Sequence, residues 1–284
     1  MTTVNVSAEL RAIEATLGGG MLGVCAVNDA DVSVEYNEDV VFPLASVVKA
    51  VIVAELFAQA EAGRLSVSDT VTLSEGDKVA GSGVLASLSA GHTFTLAELA
   101  YLAIAVSDNS ASNAVLRAVG GVDVINARLY DEWNMPDTVL HRPIKFHLSP
   151  GDAPHTATGE PRDMAFFMNA IAHGELHSEA VSRSVAHLLQ QCDDTAMLPR
   201  FLEVNAFAGD LDTAAAPLTV FHKPGAVTGV RNDAGFIRRG DASGHVAMAI
   251  YTKNVPDTRW TVANAGCEAV AEVARLITRQ LLPE

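Results

Sequence analysis

Three features of the chain predict a two-lobed α/β (α+β) fold: apolar runs of period two sit near its two ends, helical patterns fill the middle, and no internal repeat or low-complexity linker separates them. With 284 residues, 49% of them apolar, the chain can fill one large core or two interlocked ones. A formal charge of -15 argues against nucleic-acid or anionic-membrane partners, because the mean field repels phosphate. No apolar run approaches the ~20 residues needed to span a bilayer.

The elements follow in order. "SAELRAIEATL", Ser7 to Leu17, has amphipathic spacing and predicts a helix. Two β-rich runs then flank the turn cluster Asn28-Asp29-Ala30-Asp31, which predicts a hairpin. Residues 46–62 predict a helix ending near Gly63, so apolar that it must be buried. Thr95 to Val106 opens with "TLAE", in which Thr95 can cap and Glu98 can reach back. Ser110 to Val119 predicts another helix, stopped by Gly120-Gly121. In "GEPRDMAFFMNAIAHGE", Pro161 suits a first helical turn. From Leu218 the pattern changes to period two: "LTVFHKPG", "VRNDAGFIRRG" and "GHVAMAIYTKN" predict three strands. A last helix is expected over Trp260 to Leu282, with Val270, Val273, Leu276, Ile277 and Leu281 on one face.

The simplest assembly pairs the hairpin with the late strands in one antiparallel sheet flanked by the terminal helices. Residues 1–60 and 204–284 would form this sheet lobe and 61–203 an inserted all-helical lobe, with a site in the cleft between them. The first thirty residues show no basic stretch followed by an apolar one, which sets the expectation of a cytoplasmic protein. Cys25, Cys192 and Cys267 are odd in number and widely spaced, as reduced, buried thiols would be.

Candidate chemistry starts at "PLASVVKAVIVAE". Ser46 and Lys49 are three residues apart, so on a helix they share a face. A serine hydroxyl becomes a good nucleophile when a neighbour takes its proton, and a lysine can do so when burial or a second cation favours its neutral form. Val47, Val48, Val51 and Ile52 supply the apolar surroundings. Alone, the pair reads more readily as a helix cap and a snorkelling lysine. At "AVSDNSASN", Asp108 can cap a helix and leave Ser107 to relay a proton and Asn109 to bind a substrate carbonyl while accepting from Lys49. At "FHKPGAVTG", Lys223 would add the second cation, and Gly225 would let a substrate approach the backbone. The order S-x-x-K, S-D-N, K-x-G makes chance a poor explanation.

On these motifs, and on similarity running from "FPLASVVK" to "HKPGAVTGVRNDAGF", the chain resembles the class A β-lactamase and penicillin-binding protein superfamily. The resemblance implies a β-lactamase/transpeptidase-like fold and an acyl-serine mechanism; no cofactor is expected, and the lack of an HExxH or of Cys/His spacing suited to zinc argues against a metal site. Ser46 would be the nucleophile, Lys49 its base or proton-relay partner, and Ser107 the donor to the leaving nitrogen. Asn109 would orient the substrate amide, Lys223 would supply positive charge, and the N–H groups of Ser46 and Ala226 would form the oxyanion hole. The substrate would be a small-molecule amide, ester or lactam.

Two departures qualify this. The glutamate that activates the deacylating water in class A enzymes falls at Ile144 when "HRPIKFHLSPGDAPH" is aligned on Arg142, and at Lys145 when it is aligned on Leu148-Ser149. Neither can be a base of that kind, which leaves Lys49, His147, Asp152 or Glu160 for the role and implies slow β-lactam turnover. Pro224 lacks the hydroxyl that binds a substrate carboxylate, and Arg231 is expected to compensate. The alternatives are an acyltransferase or peptidase-like enzyme with slow deacylation, and a non-catalytic module binding a ligand in the same cleft.

Overall fold

The computed structural model describes residues 2–204, 217–240 and 244–282. Strand β1 (Thr2–Thr3) and helix α1 (Ser7–Ala15) precede the hairpin β2 (Met21–Asn28) and β3 (Val32–Tyr36). The short β4 (Phe42–Pro43) leads through a 3-10 turn, Ala45–Val48, into α2 (Lys49–Glu61). Then come β5 (Thr70–Thr72), β6 (Thr93–Thr95), α3 (Leu96–Ala105), α4 (Asn109–Ala118), α5 (Val122–Asp131), β7 (Val139–Leu140) and β8 (Ala157–Gly159). Helices α6 (Pro161–His173) and α7 (Glu179–Gln190) precede β9 (Leu218–Val227), β10 (Val230–Arg239), β11 (His245–Lys253) and α8 (Ala265–Leu281).

The expected sheet forms, in the order β1-β3-β2-β11-β10-β9, with Ala249 opposite Cys25 where the two ends of the chain meet. It is antiparallel except for the contact of β1 with β3. Its strands alternate strictly. Cys25, Val27, Ala247, Ala249, Tyr251, Ala234 and Phe236 face the core shared with the helices. Leu22, Val24, Ala26, Val246, Met248, Ile250 and Ile237 face a second core closed by α1 and α8. Both faces are covered, so β2, β10 and β11 are buried along nearly their whole length.

Helix α2 is packed by α3, α4, α5 and α7, which is why a helix apolar on every side is stable there. Within the stretch 61–203, α6 lies on the sheet, against β2, β10 and β11. The expected caps are in place: Thr95 and Glu98 form a reciprocal capping box, Asp108 accepts from the Ala111 N–H, and Pro161 begins α6. The last helix starts later than its apolar face suggests. Asn264 accepts from the Gly266 N–H and Asp257 from the Ala265 N–H, so Trp260 to Ala263 stay in the preceding loop.

Buried charge ties α2 to α5. The Arg128 guanidinium donates to Glu55 at 2.6 Å, and Gln59 bridges Glu55 and the carbonyl of Val119. Removing one member of a buried pair strands the other, at about 3–5 kcal/mol. Glu55→Ala is expected to lower the unfolding free energy by that amount, read as a lower denaturant midpoint at unchanged m-value; a loss under about 1 kcal/mol, the scale of an exposed pair, would place the pair in effective contact with water.

Candidate active site

The turn bearing Ser46 is fixed from both sides. β4 pairs with β8, and the Leu44 N–H donates to the Ala157 carbonyl. Ala45 takes a left-handed backbone conformation (φ 49°), which for a residue with a Cβ costs about 1–2 kcal/mol and directs the chain into the 3-10 turn. Ser46 lies half-buried inside that turn and caps nothing with its side chain. The expected simple helix over 46–62 is therefore a 3-10 turn running into an α-helix, with Ser46 held one turn ahead of Lys49.

Lys49 is fully buried. Its Nζ donates to the Ser107 carbonyl at 2.5 Å, Ser107 Oγ at 3.1 Å and Asn109 Oδ1 at 2.8 Å. Burial pushes its pKa well below that of an ordinary lysine and the charge of Lys223 pushes the same way, with Asp108 opposing. With no carboxylate partner the amine can be neutral: its two N–H groups serve the Ser107 carbonyl and Asn109 Oδ1, and the Ser107 hydroxyl can donate to its lone pair.

The Ser107-Asp108-Asn109 stretch joins α3 to α4. Ser107 is left-handed (φ 55°), a second strained residue in the same cleft. Asp108 does more than cap: Oδ1 takes the Ala111 N–H while Oδ2 takes the N–H groups of Val84 and Leu85, tying the 82–85 loop to the site. That approach requires Gly83, where an added Cβ would stand 2.3 Å from Asp108. Asn109 accepts from Lys49 as expected and also donates to the Ala80 carbonyl, which leaves one amide hydrogen for a ligand.

The third wall is β9, the edge of the sheet. Arg231 directs its backbone N–H and C=O toward β11, where Thr252 Oγ1 bonds both. Ala226, opposite Arg231, therefore points its own N–H outward from the sheet edge, and Pro224, of the same parity, sits where no ladder bond is lost. The oxyanion-hole assignment and the proline are thus compatible. Gly225 lies against the Ser46 turn: a Cβ there would be 2.6 Å from the Leu44 carbonyl and 2.8 Å from the Ser46 N. Lys223, fully buried on the same strand face as Gly225, donates to the Pro224 carbonyl at 2.9 Å, and burial lowers its pKa.

One expectation fails. Arg231 does not reach the cleft. It lies on the face opposite Gly225 and Asn232, where it donates to the carbonyls of Val227, Val230 and Arg259 and stacks on Trp260. It cannot take over the carboxylate recognition that Pro224 lacks.

Structure also separates the candidates for deacylation. Asn113, one helical turn beyond Asn109 on α4, clamps the backbone of Ile144 from both sides at 2.8 and 2.9 Å. That puts Ile144 beside the site, whereas Lys145 turns outward to pair with Asp152 at 2.8 Å. Asp152 is held in that pair, with its pKa lowered first by Lys145. His147 is exposed, packed edge-on against Phe146. Glu160 faces Asp137, Asp163 and Asp39, and burial with these charges pushes it up to about 7. Sequence reasoning missed Asn113 and a buried group, Cys192, His222 and Asp233, behind Lys223; the i,i+4 spacing from Asn109 was the available signal for the first.

Comparison with known proteins gives a consistent picture. A family model described as the β-lactamase enzyme family matches residues 5–281. The β-lactamase Toho-1 of Escherichia coli is 31% identical over 179 residues, 62% of this chain and 60% of that protein. The β-lactamase ROB-1 of Haemophilus influenzae is 30% identical over 213 residues, 72% of this chain and 63% of that protein. The match therefore spans about three fifths of these relatives' length. The crystal structure of a β-lactamase from Sphaerobacter thermophilus superposes with a TM-score of 0.84 at 29% identity, covering 97% of this chain and 96% of that one.

Gly225 tests the geometry. A methyl group there must push β9 away from the Ser46 turn, and a displacement near 1 Å costs about 100-fold in a positioned reaction. Gly225→Ala is expected to slow reaction of Ser46 with an activated ester by that factor or more while the circular-dichroism spectrum is kept. An unchanged rate would mean that β9 takes no part in positioning.

Proposed function

Because the chain belongs to the β-lactamase enzyme family, we propose that it is a serine hydrolase that cleaves a small-molecule amide, ester or lactam through an acyl-Ser46 intermediate. The observation that carries this reading is the buried Lys49 amine, hydrogen-bonded to Ser107 and Asn109 and one turn from Ser46. Lys49 removes the Ser46 proton, and Ser107 hands a proton to the leaving group. The outward N–H of Ala226 and the Ser46 N–H receive the oxyanion. Lys223 supplies the neighbouring positive charge. Proton abstraction needs the neutral amine, so acylation rises with pH through the lowered pKa of Lys49 and is lost below it.

Release is the slow half. Ile144 occupies the place beside Asn113 where a carboxylate would activate water, and the nearby carboxylate Asp152 is committed to Lys145. This supports an acyl-enzyme long-lived enough to pass its acyl group to an amine, and it makes β-lactam turnover inefficient. Without Arg231 in the cleft and with Pro224 in place of a hydroxyl, the substrate is not selected by a carboxylate at that end.

Intact-protein mass spectrometry with a penicillin and an activated ester tests both halves. Wild type is expected to accumulate a single adduct, Ser46→Ala none, and Ile144→Glu an adduct that decays at least about 100-fold faster, the usual scale of general-base catalysis. An adduct on Ser46→Ala would overturn the nucleophile. Unchanged decay in Ile144→Glu would place the water-activating position elsewhere.

A further inference from the structure

Cys192, His222 and Asp233 are all buried, and the acylation reaction uses none of them directly. His222 Nδ1 stands 3.0 and 2.9 Å from the two carboxylate oxygens of Asp233, and the Leu198 N–H donates to Asp233 Oδ2 at 3.1 Å. Cys192 is buried beside this pair, and His222 and the Asp194 backbone favour its thiolate form. The group is not arranged around a point that a metal ion could occupy. Its setting follows from the sheet: His222 and Lys223 are neighbours on β9 and point to opposite faces. The 192–198 segment runs round that edge. On one side the Asp193 N–H donates to the Ala105 carbonyl, two residues before Ser107; on the other, Leu198 reaches Asp233.

Lys223 has no salt-bridge partner within 4 Å among the described residues, its own ammonium bond being to a carbonyl. A charged lysine with no exposure needs a compensating charge. We propose that Cys192, His222 and Asp233 form a positioning triad, thiolate, imidazolium and carboxylate, whose net negative charge holds Lys223 as an ammonium and thereby leaves Lys49 as the neutral amine that activates Ser46. This rests on the acyl-serine reading for its second half only. The charges facing each member agree with it. Lys223 sees Cys192, Asp233 and Asp194, all of which favour its ammonium form. Cys192 sees His222 and Lys223, which favour the thiolate against the cost of burial. His222 sees Asp233 and Cys192, and its pKa is raised well above that of an ordinary histidine despite burial. Lys49 sees Lys223 and, with the opposite effect, Asp108.

Two measurements on the full chain test it. The thiolate's ultraviolet absorbance, taken as wild type minus Cys192→Ser across pH, needs no substrate and no access to the sulfur. It is expected to titrate below the ordinary thiol value of about 8.5 and to rise by at least about one unit in His222→Asn. A thiol titrating at or above that value in both proteins overturns the triad, whatever the enzyme does. The second is the pH profile of Ser46 acylation. In Cys192→Ser the alkaline limb, where Lys223 loses its proton, is expected about one unit or more lower, while the acid limb, set by Lys49 with Lys223 still charged, does not rise; Cys192→Asp should restore the width. A rate reduced equally at every pH would mean that Cys192 only fills space, and would overturn the coupling to Lys49. Absence of any acylation in wild type would fall on the hydrolase reading and leave the thiolate titration to decide the charge state.

Discussion

Two lysines are fully buried at one cleft, and much of the remaining architecture serves to make that tolerable. Burying an ammonium costs several kcal/mol unless it is paired or gives up its proton, and two of them side by side raise the cost for whichever is less compensated. Lys49 is met by two carbonyl-type oxygens and a hydroxyl, none of which carries charge. Lys223 is met by a carbonyl and by the field of Cys192, Asp233 and Asp194. In the proposed reading the asymmetry places the proton on Lys223 and the lone pair on Lys49. Ser46, one turn away, is the group that such a neutral amine would activate.

The fold delivers this arrangement through constraints that lie outside the cleft. α2 can be apolar on every side because four helices enclose it, and a helix so enclosed carries Lys49 out of water with it. β9 can hold Pro224 because it is an edge strand, and the outward parity that excuses the missing N–H also turns the Ala226 N–H out from the sheet edge. Two of the left-handed non-glycine residues, Ala45 and Ser107, lie in the two connections that present Ser46 and Ser107 to the cleft. In each case stability gained in the cores is spent locally on reactive geometry.

Much of this was legible in the sequence, because it rests on local chemistry and periodicity. Alternating apolar residues marked β9, β10 and β11, and the "TLAE" box and Asp108 marked the starts of α3 and α4. Features that depend on which face meets which neighbour were not legible. Arg231 looked available to a ligand, but strand parity turns it to the α8 side, where three carbonyls and Trp260 engage it. Ser46 looked like a helix cap until the left-handed Ala45 placed it inside a 3-10 turn. Ile144 and Lys145 were equivalent on paper; the clamp from Asn113 separates them. Cys192, His222 and Asp233 come together from three separate stretches, so no single motif announces them.

The central claim is that Lys49, not Lys223, is the neutral amine at working pH. A titration of protein carrying 13C-labelled lysine side chains, followed by NMR and assigned with Lys49→Arg and Lys223→Arg, measures this directly. The account predicts that Lys49 loses its proton first as pH rises, well below the ordinary lysine value of about 10.4, while Lys223 remains charged. If Lys49 stays an ammonium up to that value, or if Lys223 deprotonates before it, the account is contradicted.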